Sequence, residues 1–328
     1  MSASVPARAA LGVFPTPLAL LPRLSESLRG PRILVKRDDL SGLALGGNKV
    51  RKLEYLAADA LARGCDCLVT GGAAQSNHCR QTAAAAAALG LGCHLALAGG
   101  RPEAPSGNFL LDLLLGAQIH WSGPDRKGER IPLIAAELRA AGRNPYVIPY
   151  GGSNEIGALG FVAAAGELAA QLGAAGEQVD AIVFASSSGG TQAGLVVGAR
   201  LHELRSAVVG IAIDKGEAGE GPFAERVLEL AEKAASIAAP GERFAPADIV
   251  LKEGYVGGGY GVVGELERRA IRLAARTEGL LLDPVYTGRA FGALVDLIEK
   301  GEFTRGQTVL FWHTGGAPAL FSYASSLI

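Results

Sequence analysis

The sequence predicts an α/β fold made of two doubly wound parallel-sheet units, and three observations predict it. Short apolar runs of strand length alternate with stretches of helical apolar period, a pattern that requires right-handed crossovers and a parallel sheet. The alternation breaks once, at Gly151-Gly152-Ser153-Asn154, and then begins again. With 328 residues, 49% of them hydrophobic and 19% charged, the chain has the length and the apolar side chains for two buried cores. A ligand is expected in the crevice between the units, at the carboxyl ends of their strands.

Taken in order, Pro15-Thr16-Pro17 and Pro22 make the N-terminal segment extended and turn-rich, leading to a β run at Ile33-Leu34-Val35-Lys36. In the first unit, residues 53–63, 80–89, 108–115 and 131–141 carry helical apolar spacing, and residues 67–70, 93–97, 118–121 and 145–148 read as strands. After the break, helices are expected over 157–172, 191–204, 222–239, 265–277 and 288–300, with strands over 181–185, 208–213, 249–251 and 308–313.

Composition narrows the function. A net charge of -1 argues against a nucleic-acid or anionic-membrane partner and leaves a small ligand. No window holds the roughly 18 to 20 uninterrupted apolar residues of a spanning helix. Met1 to Ala10 lacks a basic region followed by an apolar run. The four cysteines, Cys65, Cys67, Cys79 and Cys93, do not resemble a disulfide framework, so cytoplasmic residence with free thiols is expected. Cys65-Asp66-Cys67 has no second pair at zinc-site spacing, and no metal is expected.

The chemistry is concentrated in six stretches. In Gly46-Gly47-Asn48-Lys49-Val50-Arg51-Lys52, the glycines allow a tight turn, Asn48 is a candidate N-cap, and Lys49 falls in the first turn of a helix. The positive end of the helix dipole disfavours a cation there and helps to deprotonate it, which suits a nucleophile or base; a solvated basic first turn is the plainer reading. Ser186-Ser187-Ser188-Gly189-Gly190-Thr191 follows an apolar strand and opens a helix, the arrangement of a phosphate cradle. It matches neither a Walker loop nor a dinucleotide fingerprint. Gly71 to Arg80 forms another strand-to-helix loop, in which the amides, Ser76 and Asn77 offer donors for a carboxylate. Asp283-Pro284-Val285-Tyr286-Thr287-Gly288 and His313-Thr314-Gly315-Gly316 present a flat phenol and neutral hydroxyls. Gly257-Gly258-Gly259-Tyr260-Gly261 presents one more phenol on a glycine-rich loop. His78 and His313, taken singly, are ordinary histidines.

Together these stretches, with Lys36-Arg37-Asp38-Asp39 and the Pro145 to Asn154 segment, resemble the ACC deaminase/D-cysteine desulfhydrase family of pyridoxal-phosphate enzymes, which share the tryptophan synthase β-like fold type II. The resemblance runs from Pro15 to Leu320. It implies two doubly wound parallel-sheet domains, a large one from residues 1–48 plus 155–328 and a small one from 49–154, with pyridoxal 5'-phosphate in the crevice between them. It implies that Lys49 bonds covalently to the cofactor aldehyde and that Asn77 hydrogen-bonds its ring hydroxyl. Ser188, Gly189, Gly190 and Thr191 would hold the phosphate, with Lys52 in reach of it. Tyr286 would stack on the ring, with Thr287 and Thr314 lying near the ring nitrogen. Ser76, Asn77, His78 and Tyr260 would meet an amino-acid substrate, with Lys49, Ser76 and Tyr286 as the catalytic set. A homodimer is implied as well.

Two positions separate the branches of the family. ACC deaminases carry Glu and Leu where this chain has Thr287 and Thr314, and a carboxylate beside the pyridine nitrogen keeps it protonated. The threonine pair resembles the D-cysteine desulfhydrase branch, as does Gly151-Gly152-Ser153-Asn154-x-x-Gly157-Ala158-Leu159-Gly160, whereas Gln192 resembles the deaminase side. The implied reaction is elimination from D-cysteine to pyruvate, hydrogen sulfide and ammonia. L-cysteate sulfo-lyase and ACC deaminase are the enzymatic alternatives, and a non-catalytic amino-acid-binding protein is the alternative from another class.

Overall fold

The computed structural model describes residues 6–214 and 222–328, so half of the Met1 to Ala10 segment lies outside the described residues. The chain opens with β1 (Leu18–Leu20), α1 (Pro22–Leu28) and β2 (Arg32–Arg37). It continues through α2 (Lys49–Ala62), β3 (Cys67–Gly72), α3 (Asn77–Leu89), β4 (Gly92–Leu97), α4 (Gly107–Leu114), β5 (Gln118–Trp121), α5 (Ile131–Ala140) and β6 (Pro145–Val147). The second series is α6 (Glu155–Ala175), β7 (Ala181–Ser186), α7 (Gly190–Leu201), β8 (Ala207–Ala212), α8 (Phe223–Ala238), β9 (Val250–Lys252), α9 (Glu265–Glu278), α10 (Thr287–Glu299) and β10 (Thr308–His313).

Two sheets result. The larger has six strands in the order β1-β2-β10-β7-β8-β9, and the smaller has four in the order β5-β4-β3-β6. All pairings are parallel except that of β1 with β2, which is antiparallel and caps one edge. Both sheets are covered on both faces, as parallel sheets must be. In β7, Ala181 and Val183 pack with α9 and α10, while Ile182 and Phe184 pack with α6, α7 and α8. In the smaller sheet Leu68 and Leu95 meet α2 and α3, and Val69 and Ala96 meet Ile131 and Ile134 of α5.

The predicted fold class therefore holds, with three local differences. Leu18–Leu20 and Pro22–Leu28 are a strand and a helix where only an extended, turn-rich lead was expected. Pro22 stands at the first helical position, where its missing N–H costs nothing. Second, α3 starts three residues before its apolar stripe, whereas α2 starts at Lys49, as the first-turn placement of that residue predicts. Third, Asn48 does not cap α2 with its side chain; its amide donates to Thr191 Oγ1 at 3.2 Å.

α6 is long and apolar enough to cross a membrane by composition, yet it is the central helix of the larger unit, with Ala158, Phe161, Ala165 and Leu168 in the core. It also seats α2. A Cβ on Gly160 would lie 2.3 Å from the Arg51 carbonyl oxygen, so only glycine lets the two backbones approach this closely. That contact fixes the helix whose first residue is Lys49.

Candidate active site

At the carboxyl end of β7, the chain turns through Ser187, Ser188 and Gly189 into α7, whose N-terminus faces the gap between the sheets. Ser153, from the segment joining the two units, organises this turn. Its Oγ accepts from the Gly190 amide at 3.1 Å and from Lys52 Nζ at 3.0 Å, and donates to Ser188 Oγ at 2.8 Å. A Cβ on Gly190 would stand 2.6 Å from that Oγ and 2.8 Å from Lys52 Nζ, so the position admits no side chain.

Lys49 lies across the gap at the start of α2. Its Nζ donates to the Gly151 carbonyl at 2.9 Å, and Lys52 Nζ donates to the same oxygen at 3.1 Å. Burial lowers the Lys49 amine from its ordinary 10.5 to about 8. Burial, and then the neighbouring charge of Lys49, push Lys52 well below the ordinary lysine range. Two enclosed amines thus share one neutral acceptor and have no carboxylate partner among the described residues.

From the smaller sheet, β3 delivers the loop that ends in Ser76, whose Oγ caps α3 by accepting from the Cys79 amide at 3.2 Å. Asn77 Oδ1 accepts from Asn108 Nδ2 at 2.8 Å, which fixes the side-chain amide and leaves its own N–H groups for a ligand. Thr70 donates its hydroxyl to the Ile148 carbonyl, so it accepts from His78 Nε2, both at 3.0 Å. This assigns His78 the neutral Nε2–H tautomer, with Nδ1 buried and unpartnered among the described residues. Burial and the nearby lysine charges keep the ring neutral by pushing its pKa well down.

The cleft encloses about 580 Å³, its mouth included, and brings together Lys49, Ser76, Asn77, His78, Ser188, Gly189, Thr191, Tyr286 and Thr314. Gly190 and Lys52 stand directly behind its wall. Tyr260 sits behind Tyr286, the two phenol oxygens in hydrogen bond and the rings edge to face at 5.9 Å. Burial raises the pKa of both phenols well above 10, which keeps them protonated. Thr287 is placed differently from expectation. Its hydroxyl accepts from the Asp283 amide and donates to Asp283 Oδ1, each at 2.8 Å, so it belongs to the buried start of α10 and does not line the cleft. Gln192 is also remote: its side chain bonds Ser186 Oγ and the Val250 carbonyl beneath the sheet.

Sequence reasoning missed Tyr150, which lines the cleft, and the structural roles of Ser153 and the Gly151 carbonyl. Their one signal was the break in rhythm at Gly151-Gly152-Ser153-Asn154.

The arrangement fits a phosphorylated aldehyde. A helix N-terminus opens on the gap beside a glycine with no room for a side chain, two adjacent amines lack counter-charge among the described residues, and one of them has a pKa lowered to about 8, which suits a nucleophile. The four cysteines are free thiols. No group of three or more metal-ligating side chains occurs among the described residues.

Comparison with known proteins agrees with the geometry. A family model described as pyridoxal-phosphate dependent enzyme matches residues 9–315. The chain is 45% identical over 315 residues to D-cysteine desulfhydrase of Klebsiella pneumoniae (strain 342), covering 94% of each chain. A crystal structure of an ACC deaminase homologue superposes with a TM-score of 0.88 at 40% identity, over 98% of this chain and 95% of that one. The processed form of threonine deaminase isoform 2 from Solanum lycopersicum shares the fold, with a TM-score of 0.70 at 16% identity over 97% and 83% of the respective chains.

Proposed function

The chain belongs to the pyridoxal-phosphate dependent enzymes, and from that premise we propose that it is a carbon–sulfur lyase converting D-cysteine and water to pyruvate, hydrogen sulfide and ammonia. Lys49 is the residue that carries the cofactor, and Ser188, Gly189, Gly190 and Thr191 with Lys52 hold its phosphate. Bound pyridoxal phosphate supplies the electron sink for negative charge developed at the substrate Cα. The N-terminus of α3, with Ser76 and Asn77, receives the substrate carboxylate and turns Cα toward Lys49. The Lys49 amine takes the Cα proton; with a pKa of about 8 it is a base near physiological pH. The protonated phenol of Tyr286, in the cleft wall, is the donor for a departing thiolate, and Tyr260 bonds it from behind.

The single observation that carries the choice of reaction is that no carboxylate lines the cleft among the described residues. Asp283 is the nearby acid, and its oxygens are taken by the amides of Val285, Tyr286 and Thr287. Such a wall suits loss of a good sulfur leaving group better than opening of an unactivated cyclopropane, because nothing acidic faces the ring nitrogen. The deaminase-like Gln192 lies outside the cleft and does not alter this reading.

The sheet membership of the strands supports a large domain of residues 1–48 plus 155–328 and a small one of 49–154. Free thiols and the charge balance support a cytoplasmic enzyme for small amino acids, without nucleic-acid or membrane partners. Exposed Leu113, Leu114 and Phe321 support a homodimer.

The test is a borohydride-reducible visible chromophore followed by product release from D-cysteine, L-cysteine, L-cysteate and ACC in parallel. Adduct at Lys49 with pyruvate and sulfide from D-cysteine alone is expected. Sulfite from L-cysteate, or 2-oxobutyrate from ACC, would move the substrate while keeping the site. No chromophore after added pyridoxal phosphate would leave a non-catalytic binder.

A further inference from the structure

Two arginines outside the described lining of the cleft converge on the loop that presents Tyr260. Arg289, fully buried on α10 and paired with Glu267 at 2.6 Å, donates to the carbonyls of Ile213 at 3.0 Å, Gly259 at 3.2 Å and Val262 at 2.9 Å. It therefore fixes from behind both the glycine-rich loop and the end of the segment after β8. Arg126 approaches from the other side, on the connection between β5 and α5 in the smaller unit. Its guanidinium forms a bidentate pair with Asp214 at 2.7 and 2.9 Å and lies over the Tyr260 ring, 4.7 Å from its centroid. The pair is mostly buried, with side chains 24% and 12% exposed, and both charges are felt at the Tyr150 phenol in the cleft wall.

A bidentate ion pair of this kind fixes orientation as well as distance, and a guanidinium over a phenol ring holds the ring's tilt. We propose that Arg126 is a positioning residue: its pair with Asp214 latches the smaller sheet to the larger beside the cleft and holds Tyr260, and through the phenol–phenol bond Tyr286, at the place where the reaction needs them. The inference rests on the elimination reading for its catalytic consequence but not for the latch itself. The loop is glycine-rich and has little intrinsic preference for one conformation; beyond two turn hydrogen bonds and the Tyr260–Tyr286 bond, the two arginines are what hold it.

The test measures hydrogen exchange of residues 255–262 in the purified holoenzyme, alongside kcat and KM for D-cysteine, in Arg126→Ala, Asp214→Asn, the double variant, and the charge exchange Arg126→Asp with Asp214→Arg. Loop protection is expected to fall roughly tenfold in either single variant, with the double no worse than one of them, as coupled partners behave. kcat should fall with it, while the Lys49 chromophore and exchange in α2 and α3 stay unchanged. The charge exchange should recover part of the protection. Unchanged loop protection in Arg126→Ala, additive losses, or loosening spread over the whole smaller sheet would overturn the latch. Loss of loop protection in an enzyme whose wild type eliminates nothing from D-cysteine would retain the latch and refute the reaction.

Discussion

The helix that begins at Lys49 puts buried cations on two sides, and the two sides are treated oppositely. On one, Arg51 bonds Asp38 at 2.8 and 2.9 Å, Glu167 at 2.9 Å and Thr16 Oγ1 at 2.9 Å, while Lys36 joins the same Glu167. Phe14 stacks on the Arg51 guanidinium at 4.3 Å. Every charge there has an opposite charge, and the network ties the N-terminal segment to α2 and α6. On the other side, Lys49 and Lys52 share one carbonyl, and Lys52 also bonds a serine hydroxyl. The first is a finished structural joint and the second is a site built for an anion. Buried charge alone does not mark function; buried charge left without its counter-charge does.

Replacing residues on each side separates the two kinds of charge. Lys49→Ala should lower elimination by at least about 10³-fold, the scale of a lost general base, and leave the melting temperature of the cofactor-free protein unchanged or higher. Arg51→Met should do the reverse: it strands Asp38 and Glu167 and should cost about 3–5 kcal/mol in a denaturant titration, with residual activity in whatever remains folded.

Titration sharpens the same contrast. Burial pushes Glu167 up, but Arg51 and Lys36 outweigh it and hold the carboxyl at about 2 against an ordinary 4.5. Its contribution, on the order of 2–3 kcal/mol, is present above pH 4.5 and is lost as pH falls toward 2. Lys49 is also depressed, but by burial that disfavours its charge, so the unfolded chain binds more protons between pH 8 and 10.5, and the cofactor-free protein should gain stability as pH rises through that window. Thermal scans at fixed ionic strength read both arms. A flat high-pH arm would mean that Lys49 is not buried as described. The smallest effect concerns Lys52: Lys52→Met should weaken cofactor binding about tenfold, a loss of about 1.4 kcal/mol. The same change should abolish stabilisation of the cofactor-free protein by inorganic phosphate.

Much of this was legible in the chain because strands and helices of a parallel sheet announce themselves by apolar period. Strand positions in both sheets were found to within two residues wherever side chains alternate into two cores. The start of α2 was read from Asn48 and Lys49, but that of α3 was not, because Asn77 and His78 turn toward the cleft and break the apolar stripe that marks a helix. Functional placement and helical signal compete for the same residues there. β1 pairs only along one edge and is three residues long, too short to show a period. Tyr150 follows Pro149 in a connecting turn, where nothing in the local pattern distinguishes a cleft wall from a surface loop. Thr287 was expected in the cleft, one residue before the helix read over 288–300, and its capture by Asp283 could not be read without the geometry. Arg126 gave no signal, since its partner is 88 positions away.

The position of β10 has a consequence for biosynthesis. It is the last strand to be made, yet it lies between β2 and β7 in the larger sheet. On the ribosome the smaller sheet can close early, whereas the larger one keeps an open slot until residues 308–313 emerge. Thr314, which supports the Asn48 amide with its carbonyl, arrives just behind that strand. The turn that opens α2 therefore gains this contact only once the last strand is in place, and a chain cut short before residue 308 would carry Lys49 without it.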